Sequence, residues 1–156
     1  MEANCKRYGD AVVEFRVERT IAAPQEQVFD WLADPAGLTA APLVLRAMYA
    51  KDSPGRGAGA VREVTTAGMW LREEYTAFDA PQSYSYRIVR SYPAFNHEIG
   101  SLTCSRTDDG THVEWETAYT HPARWGGKAL EAVTGPLIRL SFVAILAGCA
   151  KALEKP

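Results

Sequence analysis

The residue of this sequence best placed to do chemistry is Glu73, which lies in a run of alternating side chains at residues 69–78. The alternation predicts a β-strand, and its more apolar face consists of Met69, Leu71, Glu73, Tyr75 and Ala77. A carboxylate desolvated on such a face holds its proton more tightly than in water, which suits a general acid or base. The alternative is a polar anchor that orients a bound molecule without reacting with it.

Tyrosines with a period of two follow in the next predicted strand, residues 83–90. Tyr84, Tyr86 and Ile88 share one face of that strand. Two inward tyrosines would offer a ligand flat apolar area and hydroxyl donors, although core packing explains them equally well. Tyr86 is therefore a candidate both for ligand contact and for proton exchange with Glu73.

A third candidate stands at the start of the predicted strand 96–106, where Asn96, His97 and Glu98 form the most polar strand entry in the chain. Either His97 or Glu98 faces inward, but not both, because neighbouring side chains in a strand alternate. A histidine beside a buried glutamate would make a proton-transfer pair. The alternative is a solvated strand end near the mouth of a cavity.

The last predicted strand, residues 111–120, has one apolar face with Val113, Trp115, Thr117 and Tyr119. A register shifted by one residue would bury Glu114 and Glu116 and expose Trp115, which is costly. We therefore expect Trp115 and Tyr119 to face inward as core or pocket wall.

The sequence predicts neither a metal nor a cofactor. The histidines at 97, 112 and 121 lack metal-ligand spacing, and Ser141 lacks the G-x-S-x-G context of a nucleophile. The three cysteines, Cys5, Cys104 and Cys149, form no C-x-x-C motif and are expected to be reduced thiols of a cytoplasmic protein.

The elements that must position these residues follow in a simple order. Residues 11–21 alternate as a strand, 25–33 form a short amphipathic helix opened by Pro24, and the connection 35–42 has room for one further helical turn. Strands are then predicted at residues 43–50, 60–66, 69–78, 83–90, 96–106 and 111–120. The two-residue turn Ala67-Gly68 and the turn Asp108-Asp109-Gly110 indicate antiparallel hairpins.

The chain ends in one long apolar helix, predicted at residues 136–153 with Thr134 as its cap and Pro136 in its first turn. It is expected to be too short to span a bilayer, and Arg139 comes too early within it. Phe142, Ile145 and Leu146 are candidates for the wall of a pocket. The surplus apolar face, with Leu137 and Leu140, is a candidate surface for a homodimer.

The bulk composition supports one domain covering residues 1–156. An apolar fraction of 47% and a net charge of −2 are ordinary for a globular protein and argue against binding to nucleic acid or an anionic membrane. The first seven residues lack the apolar core of a signal peptide, so a cytoplasmic location is expected. The fold class is α+β: a curved antiparallel seven-stranded sheet around the long helix, with two short helices after the first strand.

This order of elements resembles the START-like, or SRPBCC, helix-grip superfamily, which includes polyketide cyclase/dehydrase-like proteins, plant abscisic-acid receptors and birch-pollen-allergen relatives. The stretches that carry the resemblance are residues 18–24, 28–34, 72–79, 84–89 and 110–115. The resemblance implies a deep cavity between sheet and helix for a hydrophobic or amphipathic small molecule, and it places Glu73 where the receptors have a water-organising glutamate. It also implies an extra residue, and hence a bulge, near His97.

Hormone sensing does not follow from the resemblance. The strand at 43–50 has Arg46 as its only charged residue, so the ligand-gripping lysine of the abscisic-acid receptors has no counterpart there.

Three functions remain open. The first is a carrier or sensor that binds a lipid- or polyketide-like molecule through Leu71, Glu73, Tyr75, Tyr84, Tyr86, Ile88, Asn96, His97, Trp115, Tyr119, Phe142, Ile145 and Leu146. The second is a cyclase, aromatase or dehydratase that uses Glu73 with Tyr86 or His97 for proton transfer. The third is a dimerising interaction subunit.

Overall fold

The structure, a computed structural model, describes residues 12–155. Ala11, the predicted first residue of the first strand, lies outside the described residues. So do Cys5 and the N-terminal segment on which the signal-peptide prediction rests.

The strands of the described chain form one seven-stranded antiparallel sheet in the order β1-β7-β6-β5-β4-β3-β2. In chain order they are β1 (Val13–Ile21), β2 (Val44–Tyr49), β3 (Val61–Thr66), β4 (Met69–Asp79), β5 (Ser83–Tyr92), β6 (Asn96–Thr107) and β7 (Gly110–Thr120). Each of β2 to β7 pairs with the next strand along the chain, and β1 pairs with β7. The predicted sheet is confirmed.

Three helical segments complete the predicted helix-grip fold. Helix α1 (Gln25–Ala33) and a 3₁₀ helix (Pro35–Ala40) follow β1, and the long helix α2 (Gly127–Leu153) follows β7 after a short 3₁₀ turn (Ala123–Trp125). Apolar side chains of α2 are buried with inward residues of the sheet: Phe142, Ile145, Leu146, Cys149, Leu102, Val113 and Trp115. The core therefore lies between the sheet and α2.

Helix α2 begins nearly three turns before its predicted start. Pro136 was expected in the first turn and Thr134 as the cap, but both lie inside the helix. A proline in a helix interior removes one backbone hydrogen bond, so tertiary contacts must hold the preceding turns. They are present: Glu131 Oε1 accepts a hydrogen bond from the His121 N–H at 3.0 Å, and Thr134 Oγ1 contacts both Tyr119 Oη and His121 Nε2 at 2.9 Å.

The greater length of α2 also corrects the prediction that it is too short to span a bilayer. By length and composition alone it could cross a membrane. In the structure it packs along the sheet and buries Phe142, Ile145 and Leu146, as a core helix of a soluble fold does.

Two irregularities change which side chains face inward. Around Thr76 the register of β4 against β5 shifts, so Ala77 is exposed and Phe78 packs against the core instead. Ala77 was predicted to face inward, and the shift explains why it does not. In β6 a second irregularity lies between His97 and Ile99, with His97 buried and Glu98 exposed.

Candidate functional site

A cavity of about 70 Å³ lies between the concave face of the sheet and α2. Its deep end is lined by buried residues and its other end by partly exposed ones. The deep end contains Arg62, Val64, Glu73, Tyr86, Trp115, Phe142, Ile145 and Leu38. The partly exposed end contains Val44, Thr66, Met69, Leu71, Ile138 and Ser141.

The floor of the cavity is built on a buried ion pair between Arg62 and Glu73. The two residues are direct cross-strand partners of β3 and β4. Arg62 Nε donates to Glu73 Oε2 at 2.5 Å, and the Arg62 side chain is only 1% exposed. Glu73 was predicted to sit in an apolar environment; it instead has a guanidinium partner, because a fully desolvated charge on Arg62 requires an opposite charge nearby.

Aromatic rings enclose the Arg62 guanidinium. Its carbon lies 5.1 Å from the ring centroid of Tyr75, 5.9 Å from that of Tyr84 and 5.0 Å from that of Tyr86, which is within cation–π range. Burial lowers the pKa of Arg62, but the Glu73 carboxylate and the tyrosines outweigh burial and raise it well above its usual value. Arg62 is therefore a permanent buried cation.

Tyr75 and Tyr84 connect the floor to α1. Arg62 Nη1 donates to Tyr75 Oη, which donates in turn to the carbonyl oxygen of Ala33, both at 3.0 Å. Tyr84 Oη donates to the carbonyl oxygen of Leu32 at 3.3 Å. These hydroxyls satisfy carbonyl groups at the end of α1, so both tyrosines hold α1 against the sheet.

The hydroxyl of Tyr86 faces the same cavity. Tyr86 Oη accepts a hydrogen bond from Trp115 Nε1 at 3.0 Å. Burial, followed by the Glu73 carboxylate, raises the pKa of Tyr86, so the hydroxyl keeps its proton at neutral pH. That proton has no acceptor among residues 12–155.

Glu73 also has an unused atom. Arg62 contacts Oε2, and within the described part of the chain Oε1 has no hydrogen-bond partner. The floor can thus offer a bound molecule one donor, the Tyr86 hydroxyl, and one acceptor, Glu73 Oε1. A molecule with adjacent carbonyl and hydroxyl groups matches this pair.

His97 lies behind Tyr86 and does not line the cavity. Its ring stacks on that of Tyr86 with centroids 5.5 Å apart. Nδ1 accepts the Ile88 N–H at 3.1 Å, so in the neutral ring Nε2 carries the proton and donates to Thr117 Oγ1 at 3.3 Å. Both ring nitrogens are engaged, so His97 supports Tyr86 and has no free nitrogen for a substrate.

Gly100 makes this stack possible. A Cβ atom at position 100 would lie 2.7 Å from the Tyr86 ring and 2.8 Å from His97 Cε1, closer than side-chain atoms approach. Only glycine allows the two rings to lie against the backbone of β6.

The predicted ligand-binding residues divide into two groups. Leu71, Glu73, Tyr86, Trp115, Phe142 and Ile145 line the cavity. The others lie elsewhere: Tyr75, Tyr84 and Leu146 in the core, Ile88 and His97 behind Tyr86, Asn96 exposed and bonded to Thr120, and Tyr119 against Thr134. Ligand contact by either group is a prediction.

Sequence reasoning missed Arg62, although a signal for it exists. The turn at Ala67-Gly68 pairs Thr66 with Met69, and counting back along both strands places Arg62 opposite Glu73. The mouth residues Leu38, Val44, Ile138 and Ser141 were missed because they come from segments that only the tertiary fold brings together.

Two larger hollows on the molecule are open and polar. One, about 600 Å³, lies on the outer face of β2, β3 and β4 beside Trp70, and its Arg72 is already paired with Asp52 and Glu63. The other, about 660 Å³, lies at the start of α2. Neither has the apolar enclosure typical of small-molecule sites.

The two described cysteines are free thiols in the core. Burial raises the pKa of Cys104 and of Cys149 to about 12. Neither thiol is therefore a nucleophile at neutral pH.

The fold recurs in solved structures that share little sequence with this chain. The di-domain ARO/CYC StfQ from the steffimycin biosynthetic pathway matches with a TM-score of 0.74 and 14% identity, over 92% of this chain and 51% of that one. TTHA0849 from Thermus thermophilus matches at 0.69 and 20% identity, over 88% and 94% of the two chains. Major latex-like protein 151 from Panax ginseng matches at 0.69 and 12% identity, over 92% and 99%.

A search of curated protein sequences found no match to the chain. The family model described as polyketide cyclase / dehydrase and lipid transport matches residues 12–154, which is nearly the whole chain. The superfamily resemblance drawn from the sequence is thereby confirmed, and the chain belongs to the polyketide cyclase / dehydrase and lipid transport family.

Proposed function

We propose that this protein binds a hydrophobic or amphipathic small molecule between the sheet and α2, as a carrier or sensor. The observation that supports this most directly is the polarity gradient of the cavity. Arg62, Glu73 and Tyr86 stand at the buried floor, whereas Leu71 and Ile138 stand at the partly exposed end. Apolar walls with a few convergent polar groups are typical of ligand sites.

The gradient favours one orientation of the ligand. A polar group, such as a carbonyl with a neighbouring hydroxyl, would enter first and meet the Tyr86 hydroxyl and Glu73 Oε1. The apolar remainder would lie along Leu71, Phe142 and Ile145. A hydrocarbon without a polar group would leave the floor without a partner and is expected to bind less well.

The cavity must widen to accept such a molecule. Its volume of about 70 Å³ is well below the roughly 300–1,000 Å³ of sites for drug-sized ligands. Ile138 and Ser141 of α2 and Thr66 and Met69 at the β3–β4 turn are partly exposed where the cavity opens. We expect ligand entry to move α2 away from this turn.

Family membership supports a ligand of the lipid or polyketide class, since the family description names polyketide cyclase, dehydrase and lipid transport. StfQ, half of which is similar to this chain, is an ARO/CYC of steffimycin biosynthesis. Fold likeness alone does not transfer that activity, so the site residues carry the proposal.

Native mass spectrometry of the purified protein tests it, followed by thermal unfolding with laurate or 1,8-dihydroxyanthraquinone. We expect a co-purified molecule released on denaturation, or a raised melting temperature with one of the two probes. Absence of any bound mass together with no shift up to the solubility limit of both probes would contradict the proposal.

A second candidate is proton-transfer catalysis of the cyclase or dehydratase kind. It is favoured by the pairing of a carboxylate oxygen with a protonated hydroxyl at one floor: Glu73 would remove a proton next to a carbonyl while Tyr86 donates one to the oxygen. His97, the other predicted partner, has both nitrogens engaged. If a turnover is found, Glu73→Gln should abolish it while probe binding persists; unchanged turnover in that variant would exclude this role.

A further inference from the structure

Three potential metal ligands converge on the outer face of the sheet, away from the cavity. Glu18 of β1 and Glu114 of β7 are direct cross-strand partners, and His112 precedes Glu114 by two residues on the same face. His112 Nε2 lies 3.3 Å from Glu18 Oε1 and 3.8 Å from Glu114 Oε1. One donor atom from each side chain lies within 4.8 Å of the other two.

The charges on this face leave the Glu18–Glu114 pair without an equivalent cationic partner. Arg16 is the cross-strand partner of Glu116 and forms a close ion pair with it, and its distance to Glu114 Oε1 is 4.0 Å. Like charges directly opposite each other destabilise a sheet. A cation between Glu18 and Glu114 would remove that cost.

His112 is oriented for such a cation. Its Nδ1 lies 3.0 Å from Thr20 Oγ1, and when Nδ1–H donates to this hydroxyl, the lone pair of Nε2 points at the carboxylates. Histidine ligands of metals are held in this way by a partner on the other ring nitrogen. The hydrogen bond with His112 is the main cause that lowers the pKa of Glu18, so Glu18 is in the ionised form that binds metals.

We propose that Glu18, His112 and Glu114 bind a divalent transition-metal ion of the Zn²⁺ class. With metal–ligand bonds of about 2.0–2.2 Å, the donors of a tetrahedral site lie roughly 3.4 Å apart, close to the separations of His112 Nε2 from the two carboxylates. One nitrogen and two oxygens suit Zn²⁺ better than Ca²⁺ or Mg²⁺, which prefer all-oxygen sites. Water completes the coordination, because all three side chains are partly exposed.

The spacing of histidines in the sequence cannot reveal this site. Its ligands come from strands far apart in the chain, and only the pairing of β1 with β7 brings Glu18 opposite Glu114. The absence of a metal predicted from spacing alone is therefore not a guide to this surface.

Isothermal titration of the whole protein with Zn²⁺ tests the proposal, with Co²⁺ absorption to identify the ligand atoms. We expect one ion per chain, and a loss of affinity of at least tenfold in both His112→Gln and Glu18→Gln. Glu116→Gln, which changes a carboxylate on the same face that pairs with Arg16, is the matched control and should retain the affinity. Far-UV circular dichroism checks that each variant is folded.

The proposal is overturned if no ion binds at 100-fold excess, or if His112→Gln and Glu18→Gln bind as tightly as the unchanged chain. It is also overturned if Co²⁺ gives the charge-transfer absorption of thiolate ligands, because the cysteines would then be the site. This test does not involve the cavity, so its outcome is independent of the proposed ligand-binding function.

Discussion

At the scale of single residues, Arg62 organises the floor of the cavity. A guanidinium that is 1% exposed has lost nearly all of its hydration, and the loss costs several kcal/mol unless partners replace water. Glu73, the hydroxyl of Tyr75 and three aromatic rings replace it. The same contacts leave Glu73 Oε1 and the Tyr86 hydroxyl free for a ligand.

This arrangement predicts an asymmetry between single and double substitutions. Arg62→Met or Glu73→Gln alone should lower the free energy of unfolding by about 3–5 kcal/mol, because the remaining partner is left buried without its counterpart. The double variant Arg62→Met/Glu73→Leu should recover most of that loss, since neither charge remains. Urea unfolding followed by circular dichroism measures all three.

The matched control is Glu26→Gln, which removes the exposed partner of Arg106 and should change stability little. Additive losses in the double variant, rather than recovery, would show that Arg62 and Glu73 do not act as a pair.

His97 predicts a pH dependence of stability. Burial lowers the pKa of His97, with Arg87 adding to the effect and Glu73 opposing it. The unfolded chain therefore binds a proton near pH 6.5, above the pH at which the folded chain does. Stability should be full above pH 6.5 and should fall as the pH decreases toward the lower folded value. Protonation would also break the bond from the Ile88 N–H to Nδ1.

Urea unfolding at several pH values, for the unchanged chain and for His97→Gln, measures this contribution. The variant should lose less stability than the unchanged chain between pH 6.5 and 5. Parallel curves for the two proteins would contradict the assignment of that pH dependence to His97.

At the scale of elements, α2 forms the movable wall of the cavity. Phe142 stacks on Trp115 with centroids 3.8 Å apart and closes the space above Tyr86. Phe142→Ala should lower the free energy of unfolding by about 3–5 kcal/mol and should tighten binding of 1,8-dihydroxyanthraquinone, because the enlarged cavity needs less movement of α2.

Leu140→Ala is the control on the same helix, since Leu140 is 63% exposed and does not line the cavity. It should leave both quantities nearly unchanged. Fluorescence titration and urea unfolding provide the two measurements; a weaker affinity in folded Phe142→Ala would mean that Phe142 contacts the ligand rather than occupying its space.

Most elements could be predicted because their local patterns agree with the fold. Helix α1 has its predicted bounds, and the strands begin and end within about two residues of the alternating runs. The alternation failed where the backbone departs from it, at Thr76 in β4, since a bulge leaves no mark in the pattern of side chains. The start of α2 was missed because its first turns depend on contacts of Glu131 and Thr134 with the end of β7.

The candidate site was only partly predictable. Glu73, Tyr86 and Trp115 were found from their faces, because period-two alternation fixes which side of a strand a residue occupies. Arg62 was missed because both faces of β3 mix apolar and charged residues, and only pairing with β4 reveals its partner. The alternative of a solvated end for His97 is wrong, since this ring is buried against Tyr86.

At the scale of the whole molecule, α2 still has an unpaired apolar row, made up of Val133, Leu137, Leu140 and Val143, each at least 37% exposed. This row keeps homodimerisation as a prediction. Sedimentation velocity at micromolar concentration should show a dimer that Leu140→Lys disrupts. A monomer at every concentration would exclude it.

The central claim is that a ligand's polar group reaches the Arg62–Glu73–Tyr86 floor. The chain has four tryptophans, and they lie in different surroundings. The indole N–H of Trp115 donates to Tyr86 Oη at the floor, whereas Trp70 lines the outer hollow and Trp125 packs against Tyr92. Their ¹⁵N–¹H resonances therefore report separately on the cavity and on the surface.

Titration of ¹⁵N-labelled protein with 1,8-dihydroxyanthraquinone is the most direct test. We expect the Trp115 indole resonance to shift and saturate while those of Trp70 and Trp125 stay in place, and the apparent affinity to fall at least tenfold in folded Arg62→Met/Glu73→Leu. A shift of Trp70 or Trp125 with Trp115 unchanged, or an affinity unaltered in the double variant, would contradict the claim.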